Sequence, residues 1–507
     1  MKIAPDFDAF AATYDAGRAQ VAWATLVADL ETPVSAMLKL GAGRKNAFLL
    51  ESVEGGAVRG RYSIIGLAPD LIWRCFGDRA EINRRASEDE TAFIEANGGA
   101  LASLRQIIEE ARIDLPVALP PMAAGLVGYL AYDMVRLMEK LPEPNPDPLG
   151  APDGLMLRPT IMAIFDSVAD TVTIVTPVRP APRVGARDAY AAAERRIAAV
   201  VAELERPLPH ETASVATPVS VANVSASMTR EAFHDVVKRA KEYIAAGDVF
   251  QVVPSLRFSV PFTLPPFALY RALRRTNPSP FLFFLDFGAF AVVGSSPEIL
   301  VRLRDGKVTI RPLAGTRPRG KDAAEDMALE KELLADEKER AEHLMLLDLG
   351  RNDVGRVAKI GTVRVTEQMC VERYSQVMHI VSNVDGEIDP RFDAMDALIA
   401  GFPAGTVTGA PKIRAMEIID ELETVKRGTY AGTVGYFSAN GSMDTCIVLR
   451  TALVKDGVMY AQAGAGIVAD SDPEAEYQEC RNKARALVRA AEEAVRYASR
   501  LSTSSPT

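Results

Sequence analysis

The spacing of hydrophobic and polar residues predicts a mixture of strands and helices in the first part of the chain. Strand composition appears at Asn46–Ser52 and at Thr160–Val175, with a turn near residue 169. The run LPEPNPDP at Leu141–Pro148 predicts an extended loop, because each proline fixes φ and removes a hydrogen-bond donor. Arg187–Glu205 is typical of an alanine-rich helix.

A different pattern begins at Met228. Glu231–Ala246 predicts an amphipathic helix that Thr229 caps. Apolar and polar residues alternate on both sides of the Asp-Gly pairs at 305–306 and 456–457, which predicts two β-hairpins. Longer helices are predicted over Asp326–Leu349, Pro411–Leu422 and Glu474–Tyr497. Runs of strands with helices between them favour an α+β fold with antiparallel sheets.

Residues 207–227 separate the two patterns. This segment is low in charge and rich in Ser, Thr, Val and Pro, which is typical of a linker. We therefore predict an N-terminal α+β region over residues 1–206, a linker over 207–227 and a C-terminal region over 228–507.

Composition excludes several classes of protein for this chain. The chain has 507 residues, of which 48% are hydrophobic, so wholesale disorder is excluded. Its net charge of −9 argues against nucleic acid as a main partner. No apolar run reaches the length of a membrane span and no signal pattern opens the chain, so we expect a cytoplasmic protein. Four scattered cysteines predict neither a disulfide framework nor a zinc site.

Two predicted helices each carry a pair of glutamates at i, i+3 spacing on a face that also carries apolar residues. The pairs are Glu339 with Glu342 and Glu476 with Glu479. A buried carboxylate without a partner is costly, so four of them would need a counter-ion. Oxygen ligands without a Cys or His cluster suit Mg²⁺. Solvated helix charge is the alternative interpretation of each pair.

Three glycine corners are candidate backbone binding sites. They are Gly315-Thr316, Gly405-Thr406 and Gly464-Ala465-Gly466. The last follows an apolar strand but lacks the third glycine of a dinucleotide-binding loop. A bare corner can still offer two N–H groups to a carboxylate, although all three could be plain turns.

One arginine and one histidine stand in apolar segments. Arg450 interrupts the predicted strand CIVLRTALV, and a buried arginine usually binds a carboxylate or phosphate. His379 lies in the strand-like QVMHIV, where a satisfied core histidine is the alternative. Taken alone, these residues indicate an enzyme that acts on an anionic small molecule.

Seven segments, in this order, resemble the chorismate-utilising enzymes. They are GSSPEIL (294–300), RPLAGTRPRG (311–320), DEKERAEHLMLLDLGRND (336–353), FPAGTVTGAPKIRAME (402–417), YAGTVGY (430–436), DTCIVLRTA (444–452) and QAGAGIVADSDPEAEYQECRNKA (462–484). The resemblance is dense over residues 230–490 and thinner in LLES (49–52) and RYSIIG (61–66).

The resemblance implies two antiparallel sheets packed as a sandwich with surrounding helices, a regulatory region over 1–206 and a chorismate-binding region over 228–507. It is closest to members that convert chorismate and ammonia to anthranilate and pyruvate, the first committed step of tryptophan biosynthesis. Ala314 stands where bacterial aminodeoxychorismate synthases typically carry a nucleophilic lysine. An aminodeoxychorismate synthase without that lysine, or an inactive regulatory subunit, remains an alternative.

The same resemblance implies the roles of individual residues. Glu342 and Glu479 match Mg²⁺ ligands, supported by Glu339 and Glu476. Glu298 matches an acid for departure of the C4 hydroxyl, His379 a residue for pyruvate loss, and Thr406 a pocket threonine. Substrate contacts are implied for Gly315, Thr316, Tyr430, Arg450, Gly464, Ala465, Gly466 and Lys483.

The resemblance also implies partners. No cysteine has the glycine-flanked setting of a glutaminase nucleophile, so ammonia is expected from a separate glutamine amidotransferase subunit, with two large and two small subunits in the assembly. Feedback inhibition by tryptophan is implied at a site built from Ser52, Pro280, Phe281 and Leu282.

Overall fold

The computed structural model describes residues 2–54, 58–208, 223–374 and 377–503. The helices found there are α1 (Phe7–Asp15), α2 (Pro33–Leu40), α3 (Gly99–Glu110), α4 (Ala186–Leu204), α5 (Arg230–Ala245), α6 (Pro266–Thr276), α7 (Ala323–Ala335), α8 (Glu337–Gly355), α9 (Ala394–Gly401), α10 (Lys412–Leu422) and α11 (Pro473–Thr503). Short 3-10 turns lie at Pro121–Ala123, Tyr132–Leu137 and Gly405–Val407.

The strands of the N-terminal part are β1 (Gln20–Val27), β2 (Ala47–Glu54), β3 (Val58–Phe76), β4 (Arg79–Asn83), β5 (Ile94–Glu95), β6 (Gly125–Leu130), β7 (Gly154–Asp166) and β8 (Thr171–Val178). The strands that follow are β9 (Ser225–Ala226), β10 (Gln251–Val252), β11 (Ser255–Pro261), β12 (Phe281–Asp286), β13 (Phe290–Ser296), β14 (Ile299–Arg304), β15 (Lys307–Ile310), β16 (Leu313–Pro318), β17 (Arg364–Arg373), β18 (Val377–Glu387), β19 (Gly409–Ala410), β20 (Thr433–Ser438), β21 (Met443–Ile447), β22 (Thr451–Lys455) and β23 (Val458–Gly464).

Both predicted hairpins and the capped helix are present. Asp305 and Gly306 connect β14 to β15 with φ angles of 52° and 73°, which the left-handed turn requires. The second Asp-Gly pair connects β22 to β23 in the same way. Thr229 caps α5 by accepting a hydrogen bond from the Ala232 N–H. Local turn and cap chemistry therefore located these elements correctly.

The strands pair antiparallel in one large hydrogen-bonded network and one separate pair, β10 with β19. A continuous run of pairings leads from β18 through β15, β14, β21, β20, β6, β7, β3, β2, β12, β13, β22 and β23 to β11. The network folds over so that apolar strand faces oppose one another.

Two apolar cores show the layers. One core joins strand residues such as Phe48, Phe283 and Val434, which come from β2, β12 and β20. Another packs sheet residues such as Leu49 against helical residues such as Leu487 of α11. The predicted α+β fold, with antiparallel strands packed in layers and helices outside, is confirmed.

The strand network crosses the predicted division between residues 1–206 and 228–507. Strand β2 pairs with β12, and β6 pairs with β20. Most of the predicted linker, residues 209–222, lies outside the described residues, and its end forms β9 against β11. The division into domains stays a prediction.

One predicted helix is in fact two. The helix expected over Asp326–Leu349 is broken at Asp336, which has extended backbone angles (φ −70°, ψ 112°). The Asp336 side chain accepts hydrogen bonds from the N–H groups of Lys338 and Glu339, so it caps α8 instead of continuing α7. None of the described helices is long and apolar enough to cross a membrane.

Candidate active site

Glu298 lies in the turn between β13 and β14, with only 4% of its surface exposed. The Thr406 hydroxyl, carried by the 3-10 turn at 405–407, donates a 2.8 Å hydrogen bond to its Oε1 atom. Burial raises the pKa of Glu298 to about 8, against the opposing effects of Thr406 and the positive Arg450. The carboxyl group is therefore protonated at neutral pH and can act as an acid.

His379 is buried in β18, opposite the glycine corner of β16. Its Nδ1 atom lies 3.0 Å from the Gly315 carbonyl oxygen and 3.0 Å from the Thr316 hydroxyl. A carbonyl can only accept, so Nδ1 carries the proton and Nε2 is the acceptor. Burial, together with the positive Arg450, lowers the pKa of His379 to about 4. Nε2 has no partner among the described residues, which leaves a neutral ring with a free lone pair.

Arg450 does not lie within a strand, as its sequence neighbours suggested. It lies in a bend between β21 and β22 with a φ of 49°, a left-handed angle that interrupts the predicted strand Cys446–Val454. Among the described residues the guanidinium has no hydrogen bond or ion pair, and only the charges of Tyr374 and Glu298 act on it. Its burial lowers its pKa, and its charge acts on both Glu298 and His379. The side chain is thus available for an anion.

The two outer glycine corners lie where a side chain could not. Gly315 has a φ of 77° at an irregularity in the pairing of β16 with β18. At Gly464, a Cβ atom would lie 2.7 Å from the Tyr430 hydroxyl and 2.9 Å from the Pro254 carbonyl oxygen. At Gly466 it would lie 2.6 Å from Nε2 of Gln251. Glycine is therefore required at both corners, by its backbone angle at Gly315 and by close neighbouring atoms at Gly464 and Gly466.

The glutamate pair of α8 lies beside the corner at Gly315. A Cβ atom at Gly315 would lie 3.3 Å from Oε2 of Glu339. Burial and the neighbouring Glu342 raise the pKa of Glu339, although Arg317 donates to it at 3.1 Å. Glu342 accepts a 3.0 Å hydrogen bond from Gln251. The sequence did not single out Gln251, a lone polar residue in an apolar segment.

The glutamate pair of α11 lies near the corner at Gly464–Gly466. Lys483 forms a 2.7 Å ion pair with Glu479 and donates to the Gly464 carbonyl oxygen at 2.9 Å. Burial and the Glu479 charge raise the pKa of Glu476, whereas Lys338 of α8 acts in the opposite direction. Since Lys338 belongs to the other helix, the first turns of α8 and α11 lie near one another.

The four paired glutamates are the candidate ligands of a metal ion. Within the described residues, no three acidic, His or Cys side chains are close enough to hold a metal ion together. The donor set is nevertheless all carboxylate oxygen, and each pair holds like charges whose repulsion a cation would relieve. The chemistry of the donors thus fits Mg²⁺.

The residues expected to bind an inhibitor lie together, and none of the four paired glutamates lines their cavities. Ser52 of β2 is paired directly with Phe281 of β12, and Leu282 with Glu51. A cavity of about 520 Å³ is lined by Ser52 and Leu282. A larger cavity of about 980 Å³ is lined by Ser52, Phe281 and also Glu298. The acid and the candidate inhibitor residues therefore line one continuous space.

The model of the chorismate-binding enzyme family matches residues 49–489. This chain belongs to the chorismate-binding enzymes. The family match covers all three glycine corners, both glutamate pairs and Ser52, so it includes the strands from β2 onward as well as the C-terminal region.

This chorismate-binding enzyme is 59% identical over 494 residues to the anthranilate synthase component 1 of Cereibacter sphaeroides, covering 97% of this chain and 99% of that one. It is 50% identical to the anthranilate synthase component 1 of Pseudomonas putida, covering 92% and 93%. Its structure is similar to that of anthranilate synthase component I from Streptococcus pneumoniae, with a TM-score of 0.75, 39% identity and coverage of 85% and 92%.

The sequence missed a buried ion pair behind the site. Glu423 and Arg427 lie between α10 and β20, 6% and 3% exposed. Arg427 donates to the carbonyl oxygen of Val407, in the turn that carries Thr406. In the sequence ELETVKRGTY the pair resembles ordinary helix-end charge, and only the three-dimensional fold shows that it is enclosed.

Proposed function

We propose that this chain is the large subunit of an anthranilate synthase, which converts chorismate and ammonia to anthranilate and pyruvate. The observation that carries the proposal is the combination of a buried, protonated Glu298 and a neutral His379, both within reach of the unpaired Arg450. The similarity to two curated relatives named anthranilate synthase component 1 extends over nearly the whole chain and supports the same reaction.

Glu298 serves the first chemical step. As ammonia forms a bond to C2 of the ring, both ring double bonds shift and the C4 hydroxyl leaves. Glu298 gives its proton to that hydroxyl, which departs as water, and recovers a proton from the new ammonium group. Its pKa of about 8 supports this role, because a carboxyl group with an ordinary pKa would already be ionised.

His379 serves the second step. Its free Nε2 accepts the proton from C2 as the C3–O bond breaks, so that the ring becomes aromatic and pyruvate leaves as its enolate, which then takes up a proton. The Nδ1–H bond to the Gly315 carbonyl keeps the lone pair on Nε2. The two residues thus work in opposite directions, one giving and one taking a proton.

The remaining contacts bind and orient the substrate. Arg450 offers a planar fork to a carboxylate, and the backbone of Gly464, Ala465 and Gly466 lies beside the Tyr430 hydroxyl, where it would contact a second carboxylate. Ala314 has only a methyl group in place of a nucleophile, so ammonia remains as the attacking group.

Glu342 and Glu479 would hold Mg²⁺, with Glu339 and Glu476 in support. Bound there, the ion would supply positive charge to hold and orient the ring carboxylate of chorismate. Gln251 and Lys483, which now contact Glu342 and Glu479, would have to release part of those bonds.

Ammonia is proposed to come from a separate glutamine amidotransferase subunit, in an assembly of two large and two small subunits. Tryptophan is proposed to inhibit by binding near Ser52, Pro280, Phe281 and Leu282. The cavity that Ser52 and Leu282 line is large enough for an amino acid of that size.

The test is product analysis with the purified chain, chorismate, ammonium and Mg²⁺. We expect anthranilate, detected by its fluorescence, and no product when glutamine replaces ammonium. Release of aminodeoxychorismate as the end product would identify the alternative enzyme, and the absence of any product would indicate an inactive regulatory subunit.

A further inference from the structure

The ion pair between Glu423 and Arg427 lies directly behind the substrate corner. Their side chains are only 4% and 1% exposed, with a 2.6 Å contact between Oε1 and a guanidinium nitrogen. Neither residue lines the cavity that contains Glu298, and neither is used in the proposed chemistry. Burial of two charges costs desolvation free energy, and apolar side chains could fill the same volume without that cost. The contacts that the pair makes therefore indicate its role.

Arg427 joins two loops of the site. One guanidinium nitrogen donates to the Val407 carbonyl oxygen at 2.7 Å, and the other donates to the Val253 carbonyl oxygen at 2.6 Å. The first carbonyl belongs to the turn that holds Thr406 against Glu298. The second precedes β11, whose first residue pairs with Gly464. The planar fork therefore fixes the distance between these two loops.

Glu423 fixes the strand that carries the glycine corner. Its Oε1 accepts hydrogen bonds from both the N–H and the hydroxyl of Ser255, each at 2.8 Å. Ser255 is the register partner of Gly464, and the neighbouring Pro254 carbonyl accepts from the Ala465 N–H at 3.2 Å. The carboxylate thus positions the backbone on which the corner is built.

The guanidinium also packs against Tyr430. Its carbon lies 5.5 Å from the centre of the Tyr430 ring and 4.8 Å from that of Tyr132. A cation at this distance from a ring face is attracted to it, so the ring that carries the proposed substrate hydroxyl is held on its inner side.

We propose that Arg427 and Glu423 are positioning residues that set the distance between the Thr406 turn, the Tyr430 ring and the Gly464 corner, and so determine how tightly the carboxylates of chorismate are bound. This inference rests on the proposed function. It assigns the pair to substrate binding instead of stability alone, because its partners include the turn that carries Thr406, the Tyr430 ring and the Ser255 backbone that pairs with Gly464.

Arg427→Lys in the full chain tests the proposal. Lysine keeps the positive charge but cannot donate to two separated carbonyl groups in the fixed plane of a guanidinium. We expect KM for chorismate to rise about 10-fold or more with a smaller change in kcat, since misplaced contacts weaken binding. The rise in melting temperature that chorismate causes should shrink in parallel.

Arg158→Lys is the matched control. Arg158 forms a two-pronged, half-enclosed pair with Asp70 in the N-terminal part of the chain, away from all of these contacts. A purely structural role for Arg427 predicts that both variants lower the melting temperature of the free protein and leave KM unchanged. That result would overturn the proposal.

Ser255→Ala covers the case in which Arg427→Lys does not fold. It removes one hydrogen bond to Glu423 and leaves the ion pair intact. We expect KM to rise several-fold, and an unchanged KM in a folded Ser255→Ala protein would refute the proposal. If the unmodified chain itself formed no anthranilate but chorismate still raised its melting temperature, the proposed function would fail while the binding inference remained open to the same thermal test.

Discussion

The protonation states of two buried side chains limit what each can do in catalysis. Glu298 holds its proton up to about pH 8, because burial disfavours the carboxylate, while His379 stays neutral down to about pH 4. Between these pH values Glu298 holds its proton and His379 has a free lone pair on Nε2. Both groups are therefore ready over the same range of pH.

Thr406→Val tests the acid. The Thr406 hydroxyl lowers the pKa of Glu298, so its removal should raise that pKa. After correction for the fraction of ammonia that is unprotonated, the rate should fall above about pH 8 in the unmodified chain, as Glu298 loses its proton. In Thr406→Val the fall should begin at higher pH. Thr408→Val, whose hydroxyl donates to the Ala404 carbonyl oxygen, should leave the profile in place.

His379→Met tests the base. If His379 acts only in the loss of pyruvate, ammonia should still add and 2-amino-2-deoxyisochorismate should accumulate. One positioned acid–base group is worth roughly 10²–10⁴ in rate, which is enough to make elimination limiting. Chromatography of the quenched reaction measures the ratio of intermediate to anthranilate. An unchanged ratio in a folded variant would mean that His379 is an ordinary core residue.

The sequence indicated which residues take part in the site, but not their protonation states. His379 and Arg450 stood out as polar residues in apolar segments, and Glu298 was found through the motif resemblance. Neither the pKa of Glu298 nor the free Nε2 of His379 can be inferred from spacing, since both depend on distant elements that bury them. Gln251 was missed because nothing in its sequence neighbours indicates a contact with Glu342, and Arg427 was missed because its segment resembles ordinary helix-end charge.

Elements were predicted best where local chemistry decides them. The Asp-Gly hairpins and the Thr229 cap depend on neighbouring residues and were located correctly. The break at Asp336 was missed because charged residues on both sides maintain a helical composition, while the capping carboxylate also binds Arg317, which is distant in sequence. The bend at Arg450 was missed because its apolar neighbours have the composition of a continuous strand.

Helices α8 and α11 supply the test of the metal site. Removal of divalent ions with EDTA should abolish turnover, and added Mg²⁺ should restore it. Glu342→Gln and Glu479→Gln should each lower kcat/KM on the order of 10² or more, or about 3 kcal/mol. Glu337→Gln, an exposed change on α8, should have no effect. Full activity in metal-free buffer would contradict the assignment.

At the scale of the whole molecule, the N-terminal strands connect a candidate inhibitor site to the acid. Ser52 pairs with Phe281, Phe281 pairs with Ser296, and Glu298 follows two residues later. A ligand that displaced β12 would therefore act on a strand next to the acid. The arrangement supports coupling of about 1–3 kcal/mol between the two sites.

Ser52→Phe tests that coupling. A bulky ring at position 52 should extend into the cavity that Ser52 and Leu282 line and fill the space needed by tryptophan. We expect inhibition by tryptophan to be lost while the uninhibited rate is largely kept. Inhibition curves for anthranilate formation provide the measurement, and an unchanged curve would place the inhibitor elsewhere.

The sheet that runs through both parts of the chain also constrains how such a protein can be recombined. Each part supplies strands that cover the apolar faces of the other, as Leu49 and Phe284 do in one shared core. Replacing residues 1–208 with those of a distant relative would mismatch both the strand register and the packing. Conversely, two separate genes encoding the stretches before 209 and after 222 could still yield a single assembled protein, because hydrogen bonds between strands need no covalent connection.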